Sequence, residues 1–149
     1  MISNGKFYES QFEEATIELL REAHWQYAFG DDIHRKYTDP LIEEDLRNFL
    51  TVQYKDKNLT TSEMDSIVAN LRNTGGQNDY YALRNAFLLY RDGYDFAYSD
   101  GRDNPFRLEY IDFEHPDHNI FRCVNQFVME QGRENRRPDI LLFINGIPV

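Results

Sequence analysis

Apolar residues recur at helical spacing up to about residue 92, then at alternating or continuous spacing to the end of the chain. Ser10-Gln11-Phe12-Glu13 has the form of a capping box, and Phe12, Ala15, Leu19 and Ala23 follow at helical intervals. This predicts a first helix from near residue 11 to His24. Trp25 to Phe29 then predicts a short strand before a turn at Gly30-Asp31-Asp32. Asp39-Pro40 opens a second helix that carries Ile42, Leu46, Phe49 and Leu50 on one side. Thr60-Thr61-Ser62-Glu63 is another capping box, with Met64, Ile67, Val68 and Leu71 behind it. Gly75-Gly76 breaks that third helix, and Leu83, Ala86, Phe87 and Tyr90 mark a fourth that ends before Gly93.

Beyond Gly93 the period changes. Residues 107–113 and 120–129 read as strands, and so does Ile140-Leu141-Leu142-Phe143-Ile144, whose unbroken apolar run fits a strand covered on both faces. Asn145-Gly146 signals a two-residue type I′ turn, so a second strand folds back from Ile147. If Ile144 pairs with Ile147, the residue opposite Asp139 lies about three positions past Val149. The fold class is therefore α/β (α+β), a mixed sheet of consecutive neighbours flanked by helices. Residues 1–149 form a single domain, with a helical insertion over about 39–92 after the first helix and strand. The strand at Ile147-Pro148-Val149, unpaired on its outer edge, is expected to be frayed or borrowed by a neighbouring molecule.

Composition narrows the function. The chain has 149 residues, 41% of them hydrophobic, with eleven Phe and ten Tyr, enough for one sizeable core. No stretch approaches a membrane span and Met1 to Lys6 lacks a signal-peptide pattern, so the chain reads as cytoplasmic with no membrane partner. The single Cys123 excludes an internal disulfide and falls in a strand pattern where a buried, inert thiol is the usual reading. A net charge of −10 argues against tight nucleic-acid binding by this chain alone, because phosphate contacts draw their energy from Lys and Arg. Local exceptions are Arg133, Arg136 and Arg137 before Asp139, and His34-Arg35-Lys36, although solvated faces account for both.

Candidate chemistry is sparse. Pro138-Asp139 sets an acid at the mouth of an apolar strand, which fits either a plain strand-start turn or a metal-binding carboxylate. His115-Pro116-Asp117-His118 offers imidazoles and acids for a metal, or simply fills an exposed loop. Asp112 fits a buried hydrogen-bonding role as well as it fits a ligand. No Gly-x-x-x-x-Gly-Lys-Ser/Thr loop for ATP is present.

Taken in order, Phe12-Glu13-Glu14-Ala15-Thr16-Ile17-Glu18-Leu19-Leu20, Trp25-Gln26-Tyr27, Asp32-Ile33-His34-Arg35, Ile111-Asp112-Phe113, Val124-Asn125-Gln126-Phe127 and Arg136 to Pro148 span nearly the whole chain. They resemble the N-terminal nuclease region of the R (restriction) subunit of type I restriction-modification enzymes. The resemblance implies a restriction-endonuclease-like PD-(D/E)xK fold, with Asp139 as the motif's metal-binding carboxylate. It also matches Glu13 to an acid of the first helix that points toward the metal, with Glu14 the alternative one residue on. Mg²⁺-dependent hydrolysis of DNA phosphodiesters would follow in the full-length protein, and the chain as given, which contains no Glu-x-Lys, is expected to be inactive alone.

The same resemblance implies an ATP-driven motor elsewhere in the polypeptide. Its partners would be double-stranded DNA, held weakly or not at all by this chain alone, and the methyltransferase and specificity subunits. Two other functions stay open: a non-catalytic docking module for the methyltransferase core, and a standalone PD-(D/E)xK nuclease of repair or defence. For the His pair, the resemblance implies a polar turn.

Overall fold

The computed structural model describes residues 5–73 and 79–149. Its elements are α1 (Gly5–Glu22), β1 (Gln26–Phe29), α2 (Glu43–Gln53), α3 (Thr61–Arg72), α4 (Asp79–Asp92), β2 (Tyr94–Phe96), β3 (Phe106–Leu108), β4 (Phe121–Asn125), β5 (Met129–Gln131), β6 (Glu134–Arg136), β7 (Ile140–Ile144) and β8 (Ile147–Pro148). The fold is α+β. The residues gather into two compact units, one made of the chain up to Ile42 together with Ile120–Val149, the other of Glu43–Asn119.

In the first unit a mixed sheet runs in the order β1-β4-β7-β8. β1 lies parallel to β4, with Tyr27 opposite Cys123 and Phe29 opposite Asn125. Parallel neighbours need a long crossover, and here the whole stretch from Gly30 to Ile120 supplies it. β4, β7 and β8 are antiparallel, and Ile144 faces Ile147 as the Asn-Gly turn requires. Both turn residues have the positive φ of a type I′ turn, 53° at Asn145 and 76° at Gly146. β8 pairs with β7 within the chain rather than fraying. Ile147 is fully buried, and the Val149 amide donates to the Leu142 carbonyl at 3.0 Å, so burial and hairpin bonds fix the returning strand.

Two other expectations about strands change. Of residues 107–113 only the start is strand, and β3 pairs with β2 outside the main sheet, so the sheet is not a simple run of consecutive neighbours. The run 120–129 is cut after Asn125 because Gln126 turns left-handed, with φ 56°, before β5 and β6 form their own hairpin. The reason lies across the sheet at Gly30, where a Cβ would stand 2.1 Å from the Gln126 carbonyl oxygen. Only glycine permits that approach.

One face of this sheet carries the core of Ile42, Val124, Phe127 and Phe143, with Ala28, Ile33, Met129 and Leu141 against it. The rings of Phe127 and Phe143 meet at 5.0 Å. Arg35 closes the core's edge. Its guanidinium lies 3.4 Å from the centre of the Phe127 ring and donates to the carbonyls of Val128 and Asp39. It is therefore a structural clamp rather than part of an exposed basic patch, and burial lowers its pKa.

α1 departs from expectation at its start and in its orientation. It begins at Gly5, so Ser10 and Glu13 lie inside the helix and the expected cap there does not form. The local box motif was outvoted by helix-compatible residues upstream. The helix ends at Glu22, two residues short of the expected His24, which follows in left-handed conformation with φ 69°; there Trp25 donates back to Leu20 and His24 to Arg21. Phe12 and Leu19 face solvent at 72% and 66% exposure, while Glu13, Ile17 and Leu20 are the half-covered positions.

The second unit packs α2 and α3 around Leu46, Leu50, Ile67, Val68 and Leu71, with Leu108 and Tyr110 also fully buried. Here the capping box is real. The Glu63 amide donates to Thr60 Oγ1 at 3.1 Å and the Thr60 amide to Glu63 Oε1 at 3.0 Å. α2 starts at Glu43, after Asp39 Oδ1 accepts from the Leu41 amide in the turn before it. Gly75-Gly76 and the Leu83 side chain lie outside the described residues.

Glu63 also receives the Arg102 guanidinium and the Ser99 amide. Arg102, then the Thr60 amide, hold the Glu63 carboxyl at about 2, against an ordinary value of 4.5. A carboxyl depressed in the folded state stabilises fully above its ordinary value and progressively less as pH falls toward the folded one. Melting temperature is therefore expected to drop between about pH 4.5 and 2, and Glu63→Gln to be less stable at neutral pH with a shallower acid slope. Calorimetry of both proteins across that range decides it, and parallel slopes would count against the role given to Glu63.

The turn at Asn145-Gly146 generates a second prediction. Asn145 is fully buried; its Oδ1 accepts from the Ile120 amide at 2.7 Å, and its own amide donates to the Ile120 carbonyl at 2.8 Å. Asn145→Ala loses the tolerance of Asn for the left-handed conformation, up to about 1–2 kcal/mol, and orphans the Ile120 amide, about 1–3 kcal/mol. Asn145→Gly loses only the side-chain bond. Urea unfolding should rank the wild type above Gly and Gly above Ala, and equal losses would remove the backbone component.

Candidate functional site

One face of the sheet is covered by α1, and there a chain of polar contacts joins helix to strand. Tyr27, on β1, donates through its hydroxyl to Asn125 Oδ1 at 2.7 Å. Asn125, at the end of β4, donates through Nδ2 to Glu13 Oε1 at 3.1 Å. The amide thus fixes the helix by one end and the strand by the other, and it orients the Glu13 carboxylate. Arg21, about two turns further along α1, sits 5.8 Å over the Tyr27 ring.

These groups border a cleft of about 770 Å³ whose wall is rich in carboxylates: Glu13, Glu14, Glu18 and Glu22. Among the two motif candidates, Glu13 is the half-buried acid bonded to the sheet, while Glu14 is exposed on the cleft wall.

Asp139 stands at the same end of the sheet. Asn125 is opposite Ile140, the first residue of β7, and the next amide, that of Gln126, donates to the Asp139 carbonyl at 3.1 Å. The strand-start geometry therefore holds the Asp139 backbone in place while its side chain is exposed. Just before it, Arg137 reaches back to Asp31 at 3.1 Å, tying this segment to the turn after β1. Arg136 pairs with Glu134 at 3.6 Å on an exposed hairpin. Two of the basic residues near Asp139 are thus already engaged with acids. Sequence reading named Glu13 and Asp139 but gave Asn125 and Tyr27 no role; the signal was present in the Asn-Gln-Phe block, where an Asn ends an apolar strand.

The donors fit a hard divalent cation. Glu13 and Asp139 offer only carboxylate oxygens, the set that suits Mg²⁺ or Ca²⁺ rather than a soft metal. Cys123 sits on the same strand as Asn125 but is fully buried, and burial pushes its thiol pKa up, so it is no nucleophile.

Asp112, His115 and His118 form a separate polar cluster in the second unit. Asp112 is buried and outside any strand, its carboxylate accepting from the amides of Glu114 and His115, from Gln53 and from His118. Burial opposes its ionisation, yet the His115 amide and then Gln53 outweigh it and hold the carboxyl at about 2.

A mixed sheet whose leading helix brings Glu13 to the end of β4, at the end of the sheet where β7 starts after Asp139, defines the class: an α+β domain with acidic residues near one sheet end. The family model described as "Type I restriction enzyme R protein N terminus (HSDR_N)" matches residues 6–149, and the chain belongs to that family. It is 26% identical to the type I restriction enzyme HindI endonuclease subunit of Haemophilus influenzae, over 95% of this chain and 14% of that protein. It is 28% identical to the putative type I restriction enzyme MjaIXP endonuclease subunit of Methanocaldococcus jannaschii, over 92% of this chain and 14% of that protein. The chain thus spans about one seventh of the length of these relatives. No solved structure matches it. Among the described residues no helix is long and apolar enough to cross a membrane.

The Tyr27–Asn125–Glu13 chain yields a test of its own. Tyr27→Phe should cost about 1 kcal/mol in urea unfolding, and Asn125→Ala about 1–3 kcal/mol. In the Asn125→Ala background the Tyr27→Phe change should cost close to nothing, since the bond it removes is already gone. Additive losses would show that the two side chains act separately.

Proposed function

We propose that this chain is the nuclease segment of a type I restriction R subunit, and that Asp139 and Glu13 are its visible metal-binding carboxylates. The observation that carries this reading is the register of β4 and β7. Asn125, which holds Glu13, lies opposite Ile140, the neighbour of Asp139.

A DNA phosphate approaching this acidic cleft meets like charge, and the chain carries a net charge of −10. Mg²⁺, when bound, would polarise the scissile phosphate and lower the pKa of an attacking water. The chain's own residues do the positioning. Asp139 offers an exposed carboxylate on a backbone fixed by Gln126, and Glu13 offers a second whose orientation is set by Asn125 and, through it, Tyr27. A returning strand next to β7 would supply the family's Glu-x-Lys, which the 149 residues do not contain. On this reading residues 1–149 alone do not cleave DNA.

The rest of the proposal concerns the longer protein. It would draw on ATP through a motor region outside these residues, act in the cytoplasm on double-stranded DNA, and work beside methyltransferase and specificity subunits. In the full-length protein, Asp139→Ala should lower DNA cleavage by about a hundredfold or more and leave ATP hydrolysis intact. Unchanged cleavage would favour the second reading, a docking module for the methyltransferase core. That reading draws on the exposed apolar side of α1, where Phe12 and Leu19 face solvent.

A further inference from the structure

The cluster of Asp112, His115 and His118 has no part in the nuclease reading, and its geometry asks for a separate account. Pro116–His118 is a single 3₁₀ turn with His115 at its N-terminal edge. Three residues per turn eclipse the side chains at i and i+3, so His115 and His118 stand one above the other. Their rings stack at 4.9 Å with an interplanar angle of 15°. Both Nδ1 atoms then face one oxygen, Asp112 Oδ2, at 3.6 Å from His115 and 3.1 Å from His118.

A hydrogen bond explains the second distance but not the first, which is too long for one. The three side chains are close enough for one metal to draw their ligand atoms together, with the two rings turning out of their stack. Ligands about 2.0–2.1 Å from a tetrahedral Zn²⁺ are separated from one another by about 3.3 Å, and one ligand atom from each of these three residues lies within 4.8 Å of the others.

The carboxylate is already prepared for that role. Oδ1 is occupied by the amides of Glu114 and His115 at 3.1 and 2.9 Å, and Gln53 Nε2 holds Oδ2 at 2.9 Å. Such outer contacts fix a ligand's direction before the metal arrives. The Asp112 backbone is fixed as well, its amide donating to Asn119 Oδ1 and its carbonyl accepting from Asn119 Nδ2. The imidazoles are half-exposed, with side-chain exposures of 59% and 51%, which leaves water access to a fourth position.

We propose that Asp112, His115 and His118 form a binding site for a borderline divalent transition metal, with Zn²⁺ as its representative, that locks the 112–118 turn. Two nitrogens and one oxygen favour such an ion over Mg²⁺, which prefers oxygen alone. The site is independent of Asp139 and Glu13, and its test does not use nuclease activity.

Zn²⁺ is titrated into the untagged, metal-stripped chain against a chromophoric chelator, with millimolar Mg²⁺ present throughout. The same titration is run on His115→Ala, His118→Ala and the double variant, and circular dichroism in EDTA confirms that all four are folded. The expected result is one equivalent of Zn²⁺ bound by the wild type, weakened about tenfold or more by each single replacement. Co²⁺ in place of Zn²⁺ should give the visible absorption of a tetrahedral site in the wild type and lose it in the double variant. The proposal is overturned if the wild type binds Zn²⁺ no more tightly than the double variant does. It is equally overturned if only one of the two replacements weakens binding, since the three-ligand set would then be wrong.

Discussion

The Asn145-Gly146 turn is the constraint on which the first unit depends. It reverses β7 into β8, and it also receives the chain at two distant places. Ile42 donates its amide to the Gly146 carbonyl at 2.9 Å, and Ile120 exchanges backbone and side-chain bonds with Asn145. Ile42 and Ile120 are the residues at which the first unit leaves off and resumes. A parallel β1/β4 pair demands a long connection between its strands, and a long connection is tolerable only if its ends are held. A two-residue turn whose carbonyl, amide and buried amide side chain all point at those ends does the holding. Burial raises the stakes, because each of these groups would be costly without its partner.

This explains which parts of the fold were legible in the sequence. Local signals worked where the local structure is self-sufficient. The Asn-Gly turn, the register Ile144 to Ile147, the Thr60 capping box and the apolar faces of α2 and α3 all rest on residues within a few positions of one another. They failed where a distant partner decides. Ser10 to Glu13 carries the same box pattern as Thr60 to Glu63, yet α1 runs through it, and Glu13 answers to Asn125 across the sheet. β4 was read as longer than it is because nothing near Gln126 announces that Gly30 will press against its carbonyl. β2 and β3 are three residues each, too short for alternation to register.

The candidate site shows the same division. Asp139 was visible because an acid before an unbroken apolar strand is a local pattern. The function of Asn125 was not, since a strand-end Asn is ordinary until the helix that it holds is in place. The apolar stripe of α1 misled for a related reason. Phe12 and Leu19 look like core residues by spacing, but the helix gives the sheet the flank that carries Glu13, Ile17 and Leu20. On that flank Glu13 bonds the half-buried Asn125 at the end of β4, a long-range contact that helical spacing alone does not announce.

The two groups of metal-type donors differ in the physics that holds them. Around Glu13 the cleft wall carries Glu14, Glu18 and Glu22 together with Arg21, a wall of predominantly negative charge that would attract a cation. Around Asp112 the carboxylate stays ionised but is fully engaged by donors, two amides, a glutamine and an imidazole, before any ion arrives. An ion at the first place is favoured by charge and needs little direction, which suits the loose oxygen coordination of hard cations. An ion at the second must also meet fixed directions and nitrogen lone pairs, which suits a borderline metal. The two places thus differ in hydrogen bonding: at the sheet end Glu13 takes one bond from Asn125 while Asp139 is exposed, and in the second unit a fully engaged carboxylate lies beneath two stacked rings.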